Sequence, residues 1–247
     1  MPAARIGGLA LVAGLVGLGL AGCSTGRAPQ STATASASPG LSIPGTHRST
    51  TTYRIASPVS TVVIVSHVGN VAVTGGSGPD TSATEQVTYS KTPPVTTRTV
   101  SGRTLTITYS CPAQLVCTVG YLVQVPRGAA VQVTAGAGSV RLTGLAGNVT
   151  ASADAGLISA TGLTSASVSL TTQVGTVTAA FATPPAMVQA VSRVGAVTVR
   201  VPGGTSYRVS ADAHVGHAAI SVPQSASSAH VITATTDVGA ITVGPAG

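Results

Sequence analysis

Apolar and polar residues alternate along most of this chain, and a glycine interrupts the alternation at regular intervals. The third, fifth and seventh residues before each such glycine are small or aliphatic, or carry a small hydroxyl group, as one face of a β-strand requires. After the glycine the apolar residues change parity and occupy the second and fourth positions. A straight strand cannot change faces in this way, whereas a bend at glycine can. The seven glycines are Gly69, Gly138, Gly156, Gly175, Gly195, Gly216 and Gly239.

The spacing of these glycines predicts a stack of similar units. The last six lie 18, 19, 20, 21 and 23 residues apart, and a repeat of this period is typical of solenoids. We therefore predict an all-β, single-stranded β-helix-like solenoid of strand–glycine–strand rungs, with the glycine corners superposed. The residue just before each glycine is always Val or Ala, and we expect it to continue the inner face.

The repeat lapses between the first and second glycines. Residues from about 74 to 127 alternate in short runs such as Thr104-Leu-Thr-Ile-Thr-Tyr109, with glycine turns between them. The pattern predicts an inserted antiparallel strand extension within one β-solenoid domain over residues 58–247.

The N-terminus has the pattern of an export signal. Arg5 precedes an apolar run from Ile6 to Ala21, which ends in Leu20-Ala-Gly-Cys23. The run is shorter than the roughly 20 residues that span a bilayer, and its end resembles the lipobox of bacterial lipoproteins. The resemblance implies a signal peptide over residues 1–22, a lipid anchor on Cys23 and a location on the extracytoplasmic face of the bacterial cell membrane. Residues 23–57 are rich in Ser, Thr, Ala and Pro, which predicts a disordered tether.

The chain has 3 cysteines. With Cys23 assigned to lipid, Cys111 and Cys117 remain, close enough to form a disulfide in an oxidising compartment. A metal or redox role has less support, because no histidine lies nearby and the spacing is not CxxC.

The run from Tyr121 to Leu142, followed by repeats of the form Gly-x-[Val/Ile]-x-[Val/Ala], resembles the adhesin-like cell-envelope domain known as DUF4097. The resemblance covers about residues 58–244 and implies a parallel β-helix-type repeat fold. It implies no catalytic residues. Acidic residues that usually follow the glycine in that family are absent here, which weakens a cation-binding role.

Charge and chemistry narrow the function only a little. Lys and Arg total 12 against 5 acids, a formal net charge of +7, which favours anionic lipid headgroups or an anionic wall polymer as partners. Nucleic acid is disfavoured, because no aromatic residues lie between the scattered arginines and export removes the usual target. Asp212, His214 and His217 form a possible zinc or copper site that lacks a fourth ligand.

Two hypotheses follow. The favoured one is a non-catalytic, cofactor-free envelope lipoprotein whose solenoid is a scaffold or adhesin-like module for another envelope protein or a wall polymer. The alternative is a metal-dependent binder or enzyme that acts on envelope glycans through Asp212, His214 and His217. An accessory envelope-stress sensor is not distinguished from the first hypothesis by the sequence.

Overall fold

The computed structural model describes residues 45–246, and the regular structure of this part of the chain consists of β-strands. The first seven strands are β1 (His47–Ile55), β2 (Thr61–Val68), β3 (Val71–Gly76), β4 (Thr81–Tyr89), β5 (Val95–Ser101), β6 (Thr104–Ser110) and β7 (Cys117–Pro126). The middle strands are β8 (Ala130–Ala137), β9 (Val140–Thr143), β10 (Val149–Ala155), β11 (Ile158–Leu163), β12 (Ser167–Val174) and β13 (Val177–Phe181). The last strands are β14 (Met187–Val194), β15 (Val197–Val201), β16 (Arg208–Ile220) and β17 (Val231–Pro245).

Consecutive strands form rungs that stack in parallel, which confirms the predicted β-solenoid. The strand before each glycine pairs with its equivalents in the neighbouring rungs, so that Val149 lies between Val131 and Val168. The strand after the glycine does the same, and Ile158 lies between Val140 and Val177. Each rung therefore contributes one strand to each of two walls, which meet at the glycine corner.

The glycine corners are superposed in a single column. Their φ angles lie between +137° and +153°, a region that residues with a side chain rarely adopt. A Cβ atom added at Gly156 would lie 1.9 Å from the carbonyl oxygen of Gly138, and one added at Gly175 would lie 1.9 Å from that of Gly156. Glycine is therefore required both by the backbone angle and by the close approach of the adjacent corner.

The core lies between the walls, and the change of parity at the glycine is confirmed. In β10–β11, Val149, Ala151 and Ala153 are buried before the corner, and Ile158 and Ala160 after it. Hydroxyl side chains near the corner are also buried. Ser192 donates to the carbonyl oxygen of Gly175 at 2.9 Å, and Thr236 donates to that of Gly195 at 3.0 Å. These bonds explain why Ser and Thr are tolerated on the inner face.

The rung order departs from the sequence order at the C-terminal end. β17 pairs with β14 and β15 on one side and with β16 on the other. β16 is therefore the outermost strand, although it precedes β17 in the chain. Its inward residues Val209, Ala211 and Ala213 are only partly buried because no further rung covers them.

The predicted extension over residues 74–127 is correct only in part. β4 and β5 are antiparallel to their neighbours, as expected. However, β6 and β7 pair in parallel with β2 and β3 and form a regular rung. The alternation alone could not show which of these strands rejoins the stack.

The N-terminal boundary of the domain is also corrected. Residues 47–55 were expected to be part of the tether, but they form β1, which pairs antiparallel with β4 along its whole length. Side chains of β1 point to solvent over most of its length, so its composition resembles that of a linker. The predicted signal peptide, Cys23 and the predicted tether up to residue 44 lie outside the described residues. Within residues 45–246, no helix has the length and apolar character needed to cross a membrane.

Candidate functional site

The outer side of the corner carries an apolar column that the sequence analysis placed in the core. The residue before each glycine is exposed, with exposed fractions of 55% for Val174, 49% for Val194, 47% for Val238 and 57% for Val215. The prediction of an inner position for these residues was wrong.

A local break in the pairing explains the error. In β10 and β12 the paired residues run through Ala153 and Thr172, skip one residue on each strand, and resume at Ala155 and Val174. The skipped residue interrupts the alternation before the glycine, so the following side chain points outward. The sequence shows the valines clearly, but it does not show this break.

We call Val174, Val194, Val238 and Val215 the outer corner column. Each lies opposite the next in adjacent rungs, in that order. Strands in a sheet are about 4.8 Å apart, so the four side chains form a continuous strip about 14 Å long. The strip continues with smaller side chains at Ala155 and Ala137 and ends at Val68, which is 43% exposed.

A second exposed column runs beside the first, formed by the residues two positions before the glycines. Next to the outer corner column it contains, in stacking order, Gln173, Arg193, Asp237 and His214. In the same four rungs, the residues that follow the glycines are Thr176, Ala196, Ala240 and His217. The corner is thus an apolar ridge with a charged border on one side and, in its two central rungs, only alanine side chains on the other.

The predicted metal ligands are not brought together. Asp212, His214 and His217 are all exposed on β16, and Gly216, with a φ of +139°, turns the chain between His214 and His217. Within residues 45–246, no three His, Cys, Asp or Glu side chains form a group that could hold a metal ion. The glycine corner is the physical reason, because it moves His217 onto the other wall.

A buried charged cluster lies at the opposite end of the stack, where β1, β4, β5 and β7 meet. Glu85 is only 3% exposed, and its Oε2 accepts hydrogen bonds from Tyr53 Oη and, at 3.0 Å, from Arg98 Nη1. The Arg98 guanidinium lies 3.6 Å from the centre of the Tyr53 ring. Tyr121 lies opposite Glu85 in the β4–β7 pairing.

This cluster connects β1, β4 and β5 at this end of the stack. Glu85 Oε1 and Tyr121 Oη are buried, and neither has a hydrogen-bond partner within the described part of the chain. Burial, followed by the charge of Glu85, raises the pKa of Tyr121 above its ordinary value. Burial and the hydrogen bond to Glu85 also raise the pKa of Tyr53. The Glu85 carboxylate is too deeply buried for a substrate to reach it. Its contacts with Tyr53 and Arg98 instead connect β1 and β5 to β4.

This cluster was not predicted from the sequence. Glu85 and Arg98 were visible only as isolated charges, because their proximity depends on the antiparallel pairing of β4 with β7 and of β5 with β6. The sequence signal for such a cluster is an acidic residue at an inward-facing position of a strand, between apolar residues on the same face.

The predicted disulfide is confirmed, with Cys111 and Cys117 bonded and their Cα atoms 6.1 Å apart. The bond closes a loop at the corner of the β6–β7 rung. In the next rung β2 ends at Val68 and β3 begins at Val71, but here the strands are separated by residues 111–116. The disulfide therefore constrains extra residues where the other rungs have a short glycine corner.

Comparisons with known proteins show similarity in structure only. No family model matches the chain, and no curated protein matches its sequence. A candidate adhesin from Bacteroides fragilis is 14% identical with a TM-score of 0.49, over 80% of this chain and 97% of the other. A candidate cell adhesion protein from Clostridium sporogenes is 13% identical with a TM-score of 0.46, over 81% of this chain and 100% of the other. Similarity this low does not assign the function of either protein to this chain.

Proposed function

We propose that this chain is a non-catalytic, adhesin-like interaction module of the cell envelope that binds its partner through the outer corner column. The observation that carries the proposal is the row of half-exposed valines in four adjacent rungs. Threonine is as good a strand former as valine and is abundant elsewhere on the outer walls. An outward strip of valine is therefore better explained by contact with a partner than by strand formation.

The proposal includes attachment to the membrane through a lipid on Cys23. It is supported by the apolar run that ends at Cys23 and by the position of β1 at one end of the stack. The outer corner column lies toward the other end of the stack. Replacement Cys23→Ser should move the protein from the membrane fraction to the soluble fraction, and retention in the membrane would contradict the anchor.

The experiment replaces three valines of the column. The triple variant Val174→Thr, Val194→Thr and Val238→Thr keeps the size and strand preference of each side chain but replaces one methyl group with a hydroxyl group. Each replacement weakens an apolar contact by about the value of one methyl group, so we expect binding of the full chain to envelopes of the producing cells to fall about tenfold or more. Unchanged binding would contradict the proposal.

A matched control changes the same rungs on another wall. Thr178, Thr198 and Thr242 lie opposite one another in β13, β15 and β17 and point away from the core. Their replacement by Ser should leave both the binding and the thermal unfolding midpoint close to those of the original protein. A loss of binding in this control would mean that the effect of the valine changes is not specific to the column.

Binding to an anionic wall polymer is a second candidate function, favoured by the net charge of +7. Such binding should weaken steeply as salt is added, because it depends on exposed charges. It should also be insensitive to the three Val→Thr changes. Contact through the outer corner column predicts the opposite response to the valine changes.

A further inference from the structure

The charged border of the outer corner column indicates which partner it fits. We infer that the column binds a second copy of this chain, with the two stacks antiparallel and a twofold axis between the rungs of Val194 and Val238. This inference rests on the proposed function, since it names the partner of the same surface.

The apolar strip is complementary to itself under this twofold axis. When two copies face each other with opposite stacking directions, Val194 lies opposite Val238 of the second copy, and Val174 lies opposite Val215. A symmetric contact of this type uses the same surface on both copies. Glycines and small residues such as Ala196 and Ala240 beside the strip allow the two ridges to approach closely.

The charges are complementary under the same axis. The twofold axis lies in the plane of contact and crosses the strip at a right angle. The charged borders of the two copies therefore lie on the same side of the paired strips. Arg193 then lies opposite Asp237 of the second copy, and Asp237 opposite its Arg193, which gives two opposite-charge pairs. Both side chains are exposed, and the single ion pair of 4.0 Å or less within residues 45–246 joins Arg98 to Glu85. Arg193 and Asp237 are therefore available for an intermolecular contact.

The pairing should be weak for one pair of molecules. Four overlapping rungs bury less than the roughly 1,200 Å² that is typical of stable interfaces. Clustering many copies on a surface would compensate for this, since linked contacts raise the effective concentration. The antiparallel arrangement places the two β1 ends at opposite ends of the pair, so it suits molecules held on opposing surfaces.

The test exchanges the charges. Arg193→Asp places two acids opposite each other in a pair of identical copies, and Asp237→Arg places two bases opposite each other. We expect each variant alone to lose self-association of the full chain in detergent, with a dissociation constant raised about tenfold or more. Sedimentation velocity at low salt measures the change.

An equimolar mixture of the two variants provides the decisive measurement of self-association. In the mixed pair both border positions are acidic in one copy and basic in the other. Each of the two contacts then joins opposite charges again, so association should return to the original level. A folding defect in either variant could not be rescued by mixing. Absence of association in both the original protein and the mixture, or association unaffected by either exchange, would overturn the inference.

A separate arm distinguishes this inference from the proposed function. Envelopes from cells that lack the chain contain no second copy, so they should not bind the purified protein. If they bind it fully while the three Val→Thr changes still abolish binding, the column is a binding surface for another molecule. In that case the proposed function stands and the second-copy inference fails.

Discussion

The glycine at each corner combines two constraints that act on a single residue. Its positive φ excludes most side chains, and the adjacent corner's carbonyl oxygen occupies the place of a Cβ atom. The substitution Gly156→Ala would therefore strain the backbone and also separate two rungs.

We expect Gly156→Ala to lower the free energy of unfolding by at least about 3 kcal/mol, because strain and a backbone clash act together. Gly128→Ala is the matched control, since no atom lies within 4 Å of its added Cβ and its φ is not in the positive region. Denaturant unfolding measures both. Equal stability of the two variants would contradict the superposed corners.

Tyr121 gives a second prediction at this scale. Its hydroxyl is buried without a partner in the described part of the chain, so Tyr121→Phe should leave stability unchanged or raise it by up to about 1 kcal/mol. Above the ordinary tyrosine pKa of 10.0, the unfolded chain loses a proton that the folded Tyr121 retains, because its pKa is raised. Stability should therefore fall as the pH rises above about 10.

Thermal unfolding followed by circular dichroism at several pH values between neutral and strongly alkaline tests this sign. The decline should be shallower in Tyr121→Phe than in the original protein. A decline of equal slope in both proteins would show that the pKa of Tyr121 is not raised in the folded protein.

The strands illustrate what can be predicted from the sequence and what cannot. The inner face, the corners and the disulfide followed from spacing, because each depends on residues that are close in the chain. The outward turn of Val174 and Val194 depends on one unpaired residue in each rung, which no residue type marks. The insertion of β17 between β15 and β16 depends on long-range pairing, since both strands carry the same repeat pattern.

The outermost strand also shows how an open edge is protected. Tyr207, which directly precedes β16, forms a bridge with Gln224, and exposed Asp212 lies between that bridge and the corner at Gly216. Antiparallel pairing of two copies about Asp212 would bring two acids together. A charge on an edge strand disfavours such pairing, so the ends of the stack are less suited to self-association than the corner.

The disulfide provides a prediction for a single element. Closing a loop with a sequence separation of 6 residues stabilises the folded state by about 2 kcal/mol in the chain-entropy estimate. The double variant Cys111→Ser and Cys117→Ser should lose about this amount in denaturant unfolding. Binding through the distant outer corner column should be unchanged, and a loss of binding would contradict the separation of the two regions.

At the scale of the whole molecule, the rungs repeat at regular spacing along the stack. Its walls are built of many similar rungs with small core residues such as Ala151, Ala160 and Ala190. Stability then depends on contacts between neighbouring rungs and not on one large core. The same regularity places identical positions of successive rungs at nearly constant spacing on the surface, which is what a repeating interaction surface requires.

Distances along the corner test this account most directly. Spin labels at Val68 and, in turn, at Val174, Val194, Val238 and Val215 should be separated by about 14, 19, 24 and 29 Å, because each rung adds about 4.8 Å. The label at Val215 should be farther from Val68 than the label at Val238, in agreement with the pairing of β17 between β14 and β16. Distances that do not increase in this order, measured by pulsed electron–electron double resonance, would contradict the stacked corner on which the proposed binding depends.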